Sequence, residues 1–286
     1  MLVFCLLAIA TNGQETQLRP LNIGDAAPPL RMRAWLKGTP IHGFERDRVY
    51  IVEFWATWCG PCIAAMPHLS QVAAKYKRAV TVIGVDVMEK TPAMNSLRAF
   101  VDSMGSAMNY SVAAEDSTFM TTTWLNASGE AGIPVSFVVN QEGRVAWIGH
   151  PNSLDKVLPG LLNDSLNIEK ASVDRKLNKR WEALDDSAGD ELRYYKADLE
   201  KRAPEKSDSF LLRRVNEIVE NEPDLKYAPN VAACTFNLLL KTDPQKAYEY
   251  GKVFMVTSTY RTPPYYIIFN NVKSYSRNTE ATAPDL

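Results

Sequence analysis

The sequence predicts an α/β fold, a mixed sheet flanked by helices, followed by an all-α region. Three observations point there. Up to about residue 150, β-branched and aromatic runs alternate with runs of helical periodicity. After residue 153 strand signals become sparse and charge-rich helical patterns take over. The 286 residues suffice for two domains at roughly 100–200 residues each.

The elements follow in order. Residues 14–48 are loop-rich, with Pro20, Pro28, Pro29 and Pro40, and short strands are expected at 30–36 and around Ile41. Val49-Tyr50-Ile51-Val52-Glu53-Phe54-Trp55 reads as a buried strand. From Pro61 onward Ile63, Met66, Leu69, Val72, Ala73 and Tyr76 recur at three and four residues, the period of a helix. Pro67 is expected to kink that helix, because it lacks an N–H and its ring crowds the preceding turn. A second strand is expected at 79–87, a helix at 92–104 with Leu97, Phe100, Val101 and Met104 on one face, and a short helix at 117–126. A third strand at 134–140 turns at Gln141-Glu142-Gly143 into a fourth at 144–149. Two crossovers imply parallel pairing, and the closing hairpin adds antiparallel strands.

In the second half Ser153 and Asp155 are candidate caps for a helix carrying Leu154, Val157, Leu158 and Leu161. Helical stretches follow at about 168–186 and 189–202, then at 207–219 behind Ser207 or Asp208, at 231–240, and from Asp243-Pro244. Helix pairs of roughly 30 to 40 residues suggest tetratricopeptide-like stacking, although no clean period emerges. The expected organisation is a secretory leader at 1–13, an α/β domain at 14–160, a helical domain at 161–275 and a disordered tail at 276–286. The leader rests on the apolar "LVFCLLAIA" at 2–10 and the small-x-small Ala8-Ile9-Ala10, although no basic residue precedes them. It implies an exported, periplasmic or cell-envelope protein. A net charge of −1 gives no broad electrostatic attraction for nucleic acid.

Of four cysteines, Cys5 would leave with the leader, so Cys59, Cys62 and Cys234 remain. An odd count argues against a multi-disulfide scaffold. Cys59 falls between the first strand and the helix that follows. The unsatisfied N–H groups of a first helical turn, and the positive end of the helix dipole, stabilise a thiolate there. Cys62, one turn further on, is placed to expel a partner held on Cys59 as a mixed disulfide. Gly60-Pro61 tightens the turn and opens the helix. Zinc would need further ligands, and Cys234, His42, His68 and His150 show no ligand spacing. A purely structural disulfide leaves the strand–helix placement unexplained. Cys234, in an apolar helix, is read as core rather than as a third redox centre.

"EFWATWCGPC" followed by "MPHL", with "IGDAAPPL", "VIGVDV", "GIPVSFVV" and "EGRVAWIGHP", resembles the thioredoxin superfamily over residues 22–152. It looks most like the exported TlpA-like thiol-disulfide oxidoreductases, including those that serve cytochrome c maturation. The resemblance implies a thioredoxin-like sheet, Cys59 as the attacking and Cys62 as the resolving cysteine, and a redox disulfide between them, with no cofactor and no metal. It implies that Pro134 is a cis-proline after Ile133, leaving the Ile133 backbone free to pair with a substrate chain. Trp58 would shape a docking surface, and with Gly60, Pro61, Ile133 and Pro134 it makes up the implied substrate-binding set. Glu53 stands where thioredoxins carry a buried Asp, and is placed to accept the proton of Cys62. The lysine that thioredoxins place on the neighbouring strand falls at Gly84, so any partner of Glu53 must differ. The implied partners are disulfide-containing proteins and a membrane thiol electron donor, with a protein partner at the helical half and no nucleic acid. Two alternatives are a peroxidase of the peroxiredoxin kind and a helical adaptor with an accessory redox domain. The peroxidase pattern needs Thr or Ser three residues before Cys62, where Cys59 stands.

Overall fold

The computed structural model describes residues 20–89, 94–130, 132–257 and 264–280. The expected leader at 1–13 and the last six residues lie outside the described residues. The chain divides into two compact units, Met1–Arg175 and Lys176–Leu286.

The first unit is built on β1 (Met32–Lys37), β2 (Val49–Trp55), β3 (Val80–Asp86), β4 (Ser111–Glu115), β5 (Val135–Val139) and β6 (Val145–Gly149). Their order in the sheet is β1-β4-β3-β2-β5-β6. Helix α1 (Gly60–Lys75) crosses from β2 to β3 and α2 (Met94–Met104) from β3 to β4, and both strand pairs are parallel. β2–β5, β5–β6 and β1–β4 are antiparallel. The mixed sheet was legible, but β4 is an addition to the sequence reading. "SVAAE" is short and rich in small residues, so it carries almost no strand signal. The second crossover therefore ends in β4, and the strand expected at 134–140 pairs antiparallel with β2 instead. No strand forms around Ile41, and the segment expected as a short helix at 117–126 is a π-helical turn, Thr121–Asn126.

All seven residues of β2 are buried, because it is a central strand covered on both faces. Side chains alternate across it. Tyr50, Val52 and Phe54 enter one core with Phe137, Trp124 and Ile83. Val49, Ile51 and Trp55 enter the other, with Cys62, Met66 and Leu69 of α1 and Tyr110. Helix α1 continues through Pro67. After β6, α3 (Leu154–Leu162) buries Leu154, Leu158 and Leu161, while Ser153 makes no capping bond.

The division between units falls after Arg175, beyond the expected 160/161, for a visible reason. The start of α4 (Ile168–Arg202) is tied to the first unit: Asn22 Nδ2 donates to Ser172 Oγ at 2.9 Å. Arg175 donates to Ser128 O at 2.7 Å and pairs with Glu130 at 2.8 Å.

The second unit holds the rest of α4 with α5 (Ser207–Asn221), α6 (Pro229–Thr242), α7 (Pro244–Thr257) and α8 (Pro264–Glu280). The two stretches expected at 168–186 and 189–202 are one helix. Gly189 does not break it. A Cβ there would lie 2.8 Å from the Asn230 Cβ, so this glycine lets α6 approach closely. Asp243 caps α7, accepting the Lys246 N–H at 3.1 Å. Helix α5 has no side-chain cap; Asp208 in its first turn pairs instead with Lys241 at 3.1 Å. Helix α8 continues to Glu280, so 276–280 of the expected disordered tail are helical.

Candidate redox site

The chain leaves the sheet at Trp55 and turns at once, with Cys59 N–H donating to Ala56 O at 3.1 Å. Cys59 then occupies the N-cap of α1 in an extended conformation, φ −87° and ψ 92°. Its Sγ accepts the Cys62 N–H at 3.2 Å, a task usually done by a Ser or Asp oxygen. Gly60 and Pro61 form the start of the first turn, where a missing N–H costs nothing. No acidic residue lies in that turn to oppose a thiolate. Cys59 and Cys62 are joined by a disulfide. Cys59 is 4% exposed and Cys62 is fully buried, so Cys59 is the sulfur within reach of a partner.

Ile133-Pro134 is a cis peptide, and the Ile133 carbonyl oxygen lies 3.8 Å from Cys59 Sγ. Trp58, Gly60 and Pro61 are exposed beside the sulfur. The Trp58 indole donates to Met88 O at 3.2 Å, and Thr57 N–H donates to Glu89 Oε1 at 2.6 Å. Met88 and Glu89 thus hold the turn before Cys59, a role that no pattern in the sequence pointed to.

Glu53 lies in the middle of β2, opposite Gly84 of β3 and Ser136 of β5. A solvent-facing strand edge is excluded, since the residue is fully buried. Neither carboxyl oxygen has a hydrogen-bond partner among the described residues, and burial pushes its pKa up to about 8. Gly84 has no room for a longer side chain. A Cβ there would lie 2.9 Å from the Tyr110 ring and 3.2 Å from the Trp55 indole nitrogen. Asp86, further along β3, is also pushed up to about 8, by burial and then by the charge of Glu89.

The remaining candidates stand apart from this chemistry. His150 Nδ1 accepts the Asn152 N–H at 3.2 Å and caps a short turn, and His68 lies 3.5 Å from Asp155. Cys234 of α6 is held as a thiol, its pKa pushed up to about 11 by burial. Among the described residues no three His, Cys, Asp or Glu side chains are grouped to hold a metal ion.

A thioredoxin family model matches residues 43–101, which contain β2, the cysteine pair, α1 and β3. Protein FixW of Rhizobium leguminosarum is 33% identical over 168 residues, covering 56% of this chain and 73% of that protein. The thiol-disulfide oxidoreductase ResA of Bacillus anthracis is 30% identical over 95 residues, and this chain spans half its length. The solved structure of a thiol:disulfide interchange protein from Chlorobium tepidum matches half of this chain and 97% of its own, at 24% identity and a TM-score of 0.39.

Proposed function

Since the chain belongs to the thioredoxin superfamily and is a thiol-disulfide oxidoreductase, we propose that it reduces disulfides of proteins outside the cytoplasm through Cys59 and Cys62. The observation that carries this reading is Cys59 at the N-cap of α1, beside cis Ile133-Pro134, with the buried Glu53 carboxyl on the same side of the sheet as Cys62.

In the forward direction the Cys59 thiolate, stabilised by the N–H groups of the first turn, attacks one sulfur of the substrate disulfide. The other substrate sulfur leaves as a thiolate and takes a proton from solvent. Cys62 passes its proton to Glu53 and attacks Cys59 Sγ. The second substrate sulfur leaves, and the Cys59–Cys62 disulfide carries the two electrons' worth of oxidation. Trp58, Gly60, Pro61 and the Ile133 backbone form the docking surface. Return to the dithiol requires a thiol donor, which for an exported protein is a membrane thiol carrier. Apocytochrome cysteines are one substrate class that fits.

Mixed-disulfide trapping tests the reading. Cys62→Ala should accumulate a covalent adduct with an extracytoplasmic protein, Cys59→Ser should not, and the reduced wild type should reduce insulin. An inert wild-type dithiol would sink the proposal. Cell fractionation tests the location, and a purely cytoplasmic pool would contradict it. A second reading, capture of a protein partner by the helical half, is favoured by the exposure of Tyr265, Tyr266 and Phe269 on α8. Serine at these three positions should reduce partner capture while leaving insulin reduction unchanged.

A further inference from the structure

Five buried side chains on one face of the sheet carry polar atoms with no hydrogen-bond partner among the described residues. They are Glu53 (both oxygens), Trp55 Nε1, Tyr110 Oη, Ser136 Oγ and Asp86 Oδ1. Residues 49, 51 and 55 of β2, 80 and 82 of β3, and 138 of β5 belong to the core under α1. Alternation therefore puts Glu53, Gly84, Asp86 and Ser136 on that same face, where Trp55 and Tyr110 already lie. Three of the five, Trp55, Tyr110 and Ser136, are donors, and the other two are carboxyls. Buried polar groups are almost always satisfied, by protein or by ordered water. Ordered water is the partner that such atoms ordinarily find.

We propose that Tyr110 is a positioning residue of the redox site: its phenol, seated over Gly84, donates through ordered water to Glu53 and holds the carboxylate that takes the proton of Cys62. The ring fills the space above Gly84 that a cationic side chain would need, so a neutral donor stands where a charge would otherwise serve. Burial, and then the charge of Glu53, pushes the Tyr110 phenol pKa upward and keeps it a donor across the working pH range. The other titratable groups facing Glu53 are Asp86 from β3 and the Cys62 sulfur from α1. β5 supplies Ser136, and α2 supplies the apolar Leu97 and Val101.

The inference rests on Glu53 as proton acceptor, and the experiment separates the two. The measured quantity is the pH profile of the resolving step, followed as release of a chromogenic thiol from a mixed disulfide on Cys59 in the full chain. A hydrogen bond to a charged group is worth about 1.5 kcal/mol or more. Tyr110→Phe should therefore raise the profile's midpoint by about one pH unit and slow the step about tenfold below it. The same substitution in a Glu53→Gln background should add no shift, whereas in an Asp86→Asn background its shift should persist. Fluorotyrosine at position 110 keeps the ring and strengthens the donor, so it should move the midpoint downward. If Glu53→Gln moves the profile while neither Tyr110 variant does, Tyr110 has no such role and Glu53 keeps its own. If Glu53→Gln leaves the profile unmoved, the acceptor reading fails and this inference falls with it.

Discussion

Two buried carboxylates, Glu53 of the first unit and Asp185 of the second, are treated in opposite ways. Asp185 of α4 accepts the Asn230 N–H at 3.1 and 2.9 Å and the Val231 N–H at 3.1 Å, capping α6 from a neighbouring helix. Its pKa is raised by burial, only partly offset by these backbone N–H bonds, and the helix end and the carboxylate satisfy each other. Glu53 has no such partner and is pushed up to about 8 by burial alone. A structural carboxylate is surrounded by fixed donors, which work against the rise that burial causes. A proton acceptor has no direct backbone donors, so that its affinity for a proton stays near working pH.

The contrast can be broken at either end. Asp185→Ala should cost most, about 4 kcal/mol, because it strips the N–H groups at the start of α6 of their acceptor. Amide exchange in α6 should accelerate accordingly, while insulin reduction by the intact chain stays at the wild-type rate. Glu53→Gln should do the reverse, stabilising the first unit while slowing turnover. Glu53 titrates near 8 in the folded chain against 4.5 for a free side chain, so folding retains its proton. The penalty is absent below the lower value, grows as pH rises, and reaches its full size above about 8. At pH 7 the gain from Glu53→Gln should be on the order of 3 kcal/mol. It should vanish near pH 4.5, and urea unfolding at the two pH values reads the difference.

Two smaller effects sharpen the comparison. Gly189→Ala forces a methyl group against Asn230, the residue that Asp185 holds, and should cost about 1–3 kcal/mol by thermal unfolding. Alanine replacing a helical glycine in open space would stabilise instead, so the sign of the change tests the close approach. Trp58→Ala removes an exposed indole with its bond to Met88 O and should cost about 0.5–1.5 kcal/mol. Its effect should appear as a several-fold rise in KM for protein disulfides with kcat little changed, which steady-state insulin reduction resolves.

What was legible in the sequence follows from signal strength. "VYIVEFW", the pair at 59 and 62, and Ile133-Pro134 are dense local patterns, and the structure brings all three together. β4 was invisible because "SVAAE" owes its strand conformation to pairing with β1 and β3 rather than to propensity. The use of Gly189 was not legible because glycine's cost in a helix is local, whereas its use here is a contact with a residue far along the chain. The burial of Glu53 was expected, but its lack of partners was not. Tyr110 reaches the site from outside any strand, over a glycine whose emptiness only the fold reveals.

Cys59 as a helix cap has one more consequence. An uncharged disulfide sulfur is a weak acceptor, whereas a thiolate makes a charge-assisted bond roughly twice as strong as a neutral one. Reduction therefore tightens the first turn of α1, and oxidation relaxes it. The Cys62 amide, which donates to that sulfur, becomes a gauge of electron count that a proton spectrum reads without touching either thiol.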